Sequence, residues 1–166
     1  MYNDNYYLDR YNSERYLCPF NCPYFSSQQR FIEYPCIPME LKDYGPQPFV
    51  IDISEAAKQN NNYRTTIWTG NHLQVTLMSI NVGDDIGLEV HPSVDQFLRI
   101  EEGNGIVRMG KSKGNLNFEA KVSNDFAIMV PAGTWHNVIN TGNIPLKLYS
   151  IYAPPQHPYG TINITK

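Results

Sequence analysis

Two of the four histidines in this 166-residue chain sit among groups of the kind that bind cations. Glu89 and His91 are separated by a single residue, Gln96 follows shortly after, and His136 lies in a second stretch further along. Imidazole nitrogen, carboxylate oxygen and amide oxygen are donors that suit Fe(II), Mn(II), Ni(II) or Zn(II), with coordination positions left open for water or a small ligand. Residues two apart on a strand point the same way, so Glu89 and His91 face one side. The tight Pro92-Ser93-Val94-Asp95 connection lets Gln96 return on that side. The plainer alternative is that these groups only hydrogen-bond one another inside an empty barrel.

The elements that must position such groups read as almost entirely β from residue 49 onward. Short runs of β-branched and aromatic residues occupy 63–69, 72–80, 88–91, 96–102, 106–109, 116–122, 126–130, 135–140, 146–152 and 161–164. Between them stand Gly70-Asn71, Gly103-Asn104-Gly105, Gly114-Asn115, Asn124-Asp125 and Gly142-Asn143, which supply the backbone freedom of tight hairpins. Many short strands at regular spacing predict an antiparallel sandwich or barrel and exclude a helical bundle or doubly wound sheet. One short helix is expected over 55–59, capped by Ser54 and stopped at Asn60-Asn61-Asn62.

Residues 1–48 have a different composition. They hold eight of the twelve tyrosines, six of the twelve prolines and all three cysteines, with few aliphatic residues. The prolines interrupt any long helix or central strand, so an irregular extension is expected here, followed by a folded domain over 49–166. Cys18, Cys22 and Cys36 have no histidine nearby to complete a zinc knuckle. They read as free cytosolic thiols or, alternatively, as cross-linking groups on an arm.

The stretches GDDIGLEVHPSVDQFLRIEEGNG (83–105) and DFAIMVPAGTWHNVIN (125–140) resemble the two signature motifs of the cupin superfamily. Gly83, Glu89, His91, Gln96 and Gly103 occupy the first motif in register; Asp125, Pro131, Gly133, His136 and Asn140 occupy the second. The closing APPQHPYGT (153–161) is similar to the end of small one-domain bacterial cupins, some of them labelled mannose-6-phosphate isomerase-like. The resemblance implies an antiparallel double-stranded β-helix, or jelly roll. It further implies one divalent transition metal (Zn, Mn, Fe or Ni) held by Glu89, His91, Gln96 and His136. Cupins of this size are often homodimers, so a homodimer is expected, with the Tyr-rich extension reaching across an interface that favours aromatic residues.

Three positions depart from the family pattern. Glu89 stands at the usual first His, Gln96 at the usual Glu, and Asp125 at the usual Gly. Asp enters the left-handed backbone region more readily than most residues, so the last is a tolerable turn substitution. The first two move the carboxylate while conserving the charge of the ligand set, which reads as a retuned site. Two His, one Glu and one Gln are also the residue types at the zinc site of cupin-type phosphomannose isomerases.

Other chemistry-bearing residues read as structural. His72 opens a strand and faces solvent or a pocket mouth. His157 caps the barrel in a Pro-rich loop, Trp135 and Asp95 alternate away from the metal side, and Arg99 counts as outward from Gln96. Arg64 and Lys147 have a phase that the sequence leaves open, so inward cations for a phosphorylated substrate are not evident. Asn163-Ile164-Thr165 matches a glycosylation acceptor, with no secretory context.

Net charge is -3, from 13 Lys+Arg and 16 Asp+Glu without basic clusters, so no nucleic-acid footprint is expected. The longest apolar run, 126–130, is too short for a membrane span, and MYNDNYYLDR does not read as a secretory signal. A cytoplasmic address is expected. Two functions suit these observations. One is a metal-dependent enzyme acting on a small, sugar-like substrate by Lewis-acid chemistry such as isomerisation, or by oxygen chemistry if iron is bound. The other is a non-catalytic binding or structural cupin. Its Tyr/Cys-rich arm resembles the tails of bacterial spore coat proteins, which would make it spore-associated.

Overall fold

Alternating apolar and polar residues, broken at Gly, Asn and Asp, become two antiparallel sheets in the computed structural model, which describes residues 39–166. Cys18, Cys22, Cys36 and residues 1–38 of the expected extension lie outside the described residues. Leu41–Lys166 forms one compact unit.

After a short helix α1 (Ile53–Gln59), the strands are β1 (Arg64–Thr69), β2 (Gln74–Ile80), β3 (Asp95–Glu102) and β4 (Asn104–Gly110). They continue with β5 (Phe118–Ser123), β6 (Ala127–Val130), β7 (Trp135–Asn140), β8 (Leu146–Ala153) and β9 (Ile162–Asn163). One sheet has the order β6-β3-β8-β2-β1-β9 and the other β5-β4-β7. Strands distant in sequence are thereby neighbours, as in an antiparallel double-stranded β-helix.

The core lies between the sheets and follows the two-residue period of each strand. Met78 and Ile80 of β2, Leu98 and Ile100 of β3, and Leu146 and Leu148 of β8 meet Val107 of β4 and Val138 of β7, all nearly solvent-free. Each such side chain contributes about 1.5–3 kcal/mol by leaving water. Gly103, at φ 93, makes the β3–β4 turn; a Cβ there would sit 3.0 Å from the Pro145 carbonyl oxygen. Asp125 adopts φ 68, the left-handed conformation expected of it, and its carboxylate pairs with Arg99 at 2.5 Å.

Two local expectations change. Asp52, rather than Ser54, caps α1: its Oδ1 accepts from Glu55 N at 3.1 Å, so the helix begins at Ile53 and Ser54 falls inside the first turn. A carboxylate also complements the positive end of the helix better than a hydroxyl. The run 88–91 forms no strand of its own. It touches β7 through a single bridge, Glu89 to His136, between the positive-φ turn at Gly87 and Pro92.

The outer face of the large sheet is covered in part by α1. Lys147 reaches out on this side to Asn60 O at 2.5 Å and Asn61 Oδ1 at 3.1 Å, and Thr65 donates to Asn60 Oδ1. Asp43 ties the start of the unit to its end: it accepts from Thr69 Oγ1 at 2.6 Å and from Gly160 N at 3.0 Å.

Candidate metal centre

Glu89 and His136 are opposed across the one bridge that joins their segments. Glu89 N donates to His136 O at 3.0 Å, and His136 N donates to Glu89 O at 2.9 Å. Directly opposed residues in an antiparallel pair project to the same side, so both side chains enter the barrel together. His91 follows two residues after Glu89 on the same side, and its carbonyl is pinned by Gly133 N at 2.8 Å.

The result is a tight cluster. Glu89 Oε1 lies 3.4 Å from His91 Nε2 and 3.3 Å from His136 Nε2, and one donor atom from each residue falls within 4.8 Å of the others. The His136 side chain is fully buried and that of His91 nearly so, while the Glu89 side chain keeps 26% of its exposure, so the site opens toward solvent past the carboxylate.

Hydrogen bonds fix what each group offers. His136 Nδ1 lies 3.0 Å from Thr134 O, and a carbonyl can only accept. Nδ1 therefore carries a proton, and in the neutral ring Nε2 presents its lone pair to the site. Neither His136 Nε2 nor His91 Nε2 has a hydrogen-bond partner, although both are buried. A lone pair on His136 Nε2 aimed at a carboxylate oxygen 3.3 Å away repels it unless a positive charge stands between them.

Burial pushes the Glu89 carboxyl up, but without a cation His136 and then His91 meet it as proton-bearing rings, whose pull outweighs burial and holds the group down at about 2. Glu89 is thus an anion at neutral pH, suited to ligation and unsuited to donating a proton.

Gln96 is placed by register. It pairs across β3 and β8 with Tyr152, whose ring stands edge-on to His91 with centroids 5.7 Å apart. Its Nε2 donates to Ser150 Oγ at 2.9 Å, which turns Oε1 the other way; that oxygen is buried without a partner. A buried amide or imidazole acceptor left unpaired costs about 1–3 kcal/mol. The two imidazoles beside the Glu89 carboxylate are a donor set that a divalent cation satisfies, so the residues fit such an ion.

The remaining candidates separate cleanly. Asp95 is exposed and clamps a loop by accepting from Ala132 N at 2.8 Å, as expected of an outward residue. Arg99 is likewise outward, bound to Glu101 and Asp125. His72 is exposed. Asn140, in the second motif, is structural: its amide donates to Ile80 O and Ile144 O and accepts from Gly142 N. Lys147 is on the outer face, whereas Arg64 pairs with Met78 and so has its side chain on the inner face.

The structure adds Tyr152 and His157 to the surroundings of the cluster. Tyr152 is fully buried, and its ring lies between those of His91 and His157, the latter at 5.0 Å. The two-residue alternation Leu146, Leu148, Ser150, Tyr152 was the available signal. His157 carried none, because its placement depends on Gln74, which holds the closing loop through His157 N, His157 O and Gln156 N.

Comparison with known proteins supplies relatives. The family model described as Cupin domain matches residues 76–164. The chain is 71% identical over 126 residues to the protein YrkC of Bacillus subtilis, spanning 76% of this chain and 68% of that one. It is 40% identical over 121 residues to the protein L612 of Acanthamoeba polyphaga mimivirus, spanning 72% and 74%. The crystal structure of BH2720 from Bacillus halodurans superposes with a TM-score of 0.74 at 64% identity, covering 75% of this chain and 94% of that one.

Proposed function

The chain belongs to the cupin-domain family, and from that premise we propose that it is a metal-dependent enzyme acting on a small, oxygen-rich substrate. One divalent transition metal (Zn, Mn, Fe or Ni) is held by Glu89, His91 and His136, with Gln96 Oε1 as the fourth donor. The observation that carries this reading is the pair of buried, unpartnered imidazole nitrogens facing one carboxylate oxygen. When bound, the metal supplies Lewis-acid polarisation of a substrate oxygen, the chemistry of aldose–ketose isomerisation among others.

The protein's own part is positioning. Thr134 O fixes the His136 tautomer, Ser150 orients the Gln96 amide, and the Glu89–His136 backbone pair sets the separation of the two strands' ligands. Tyr152 keeps its proton, because burial raises its pKa, and so serves as a donor to ligand oxygen. Glu89 stays ionised.

A homodimer and a cytoplasmic address belong to the same reading. An apolar band, Met129, Phe97, Ile151, Val75 and Trp68, crosses the outer face of the large sheet in one register line, with Met129 64% exposed. A monomer mass in solution would remove the dimer from the proposal. Among the described residues no helix is long and apolar enough to cross a membrane.

The test is elemental analysis of unheated protein purified without added metal or an affinity tag. Near-stoichiometric transition metal is expected, with most of it lost in His136→Ala. Metal-free protein, or equal loss in His136→Ala and His157→Ala, overturns the assignment.

A further inference from the structure

Beside the three metal-facing residues, the barrel interior holds a second group of polar atoms that the metal centre does not use. Arg64 Nε, Thr66 Oγ1, Thr76 Oγ1, Tyr152 Oη and His157 Nε2 are all buried without a hydrogen-bond partner. Register puts the strand residues on one face: Arg64 pairs with Met78, Thr66 with Thr76, Thr76 with Ser150, and Tyr152 with Gln96, while the His157 ring stands edge-on to Tyr152. Met78 belongs to the interior cluster, so Arg64 projects inward along with it.

We propose that this inner row is the anion-recognising half of the ligand pocket, and that the ligand reaching the metal carries a carboxylate which Arg64 binds. The inference rests on the metal-site reading and adds a substrate class to it: a small acid with a carboxylate at one end and a metal-reaching oxygen at the other.

Charge and shape both favour this class. Arg99, Arg108 and Lys166 are each bound to carboxylates, and Lys147 is held by Asn60 and Asn61 on the outer face. Among the described residues no carboxylate lies within ion-pair distance of Arg64; its guanidinium carbon is 5.2 Å from the Tyr63 ring centroid. The guanidinium fork matches the two oxygens of a carboxylate. Thr66, Thr76 and Tyr152 add neutral hydroxyl donors. A phosphate dianion would call for a second inward cation, and Lys147, the other open candidate, faces away. After burial, the charge of Arg64 is the next influence on both Tyr152 and His157, consistent with a guanidinium directed into the same space.

Calorimetry on the full chain tests the proposal, with glycolate, 3-hydroxypropanoate and 4-hydroxybutanoate as probes, their primary amides as uncharged-end controls, and inorganic phosphate as a separate arm. At least one hydroxy acid should bind saturably, about tenfold or more tighter than its amide. In Arg64→Met that ratio should fall to near one with metal content unchanged, and Arg64→Lys should keep part of it. A purely structural Arg64 would lower the melting temperature and weaken acid and amide equally. The proposal is overturned by an unchanged ratio in Arg64→Met, by preference for phosphate over every hydroxy acid, or by no hydroxy acid binding up to about 10 mM. Metal content of the same samples reads the metal assignment separately. Were the protein metal-free, the preference of wild type over Arg64→Met for a carboxylate over its amide would still decide the role of Arg64.

Discussion

The inner face of the large sheet changes character halfway along its strands. On β8, Leu146 and Leu148 give way to Ser150 and Tyr152; on β2, Ile80 and Met78 give way to Thr76 and Gln74; on β3, Ile100 and Leu98 give way to Gln96. All of these residues are buried, so exposure alone does not distinguish the two ends. The apolar end is complete within itself. At the polar end some groups are satisfied internally and others are not. Gln74 spends both amide atoms on Thr69 and the closing loop, whereas Gln96 spends only its nitrogen. The satisfied groups hold the architecture, and the unsatisfied ones are those on which the proposed metal and ligand readings rest.

This contrast is sharpest under truncation. Leu148→Ala, at the apolar end, should cost about 2–5 kcal/mol in chemical denaturation, while the folded fraction retains its metal. Loss of metal in step with loss of stability would show that the two ends are one unit.

Removing the ion comes next. An ion held at about a hundred times its dissociation constant stabilises the folded chain by about 2.7 kcal/mol. Chelation should therefore lower the melting temperature of the wild type and leave His136→Ala nearly unmoved. Equal responses would place the stabilising ion elsewhere.

A smaller effect concerns pH. Burial, then Arg64 and His91 against the opposing pull of Glu89, hold His157 at about 4, below its ordinary 6.5. Between those values the unfolded chain takes up a proton that the folded chain refuses, so stability falls as pH drops from about 6.5 to about 4 and is fully present above that window. His157→Gln should flatten that part of the profile of melting temperature against pH. Glu89, held at about 2, adds a distinct loss only as pH falls below 4.5. A profile identical in both proteins between 6.5 and 4 would mean that His157 titrates freely.

The smallest change should come from Thr76→Val, which trades an unpartnered buried hydroxyl for a methyl. In ligand-free protein it should be neutral or stabilising by up to about 1 kcal/mol. A loss well beyond that would show the hydroxyl to be engaged, and would move Thr76 from the unsatisfied set to the structural one.

Much of this molecule was legible in its sequence. Turn residues and two-residue alternation predicted the antiparallel β class, and motif spacing pointed to Glu89, His91, Gln96 and His136 and to the left-handed turn at Asp125. These are local properties, because a strand's period and a turn's backbone freedom are carried by adjacent residues. The cap of α1 at Asp52 is equally local: Asp52 and Ser54 are both able caps, and the carboxylate suits the positive end of the helix better.

Only the tertiary structure decided the rest. The phase of Arg64 depended on pairing with β2, and a register shift between Thr66 and Trp68 interrupts the alternation on β1. The opposition of Glu89 and His136, and the placement of His157 against Tyr152, join segments far apart in the chain. The sequence specifies which way a side chain leaves its own strand. Which strands lie beside one another, and in what register, is set by packing the whole core at once, and that packing determines which polar atoms are left facing each other without a partner.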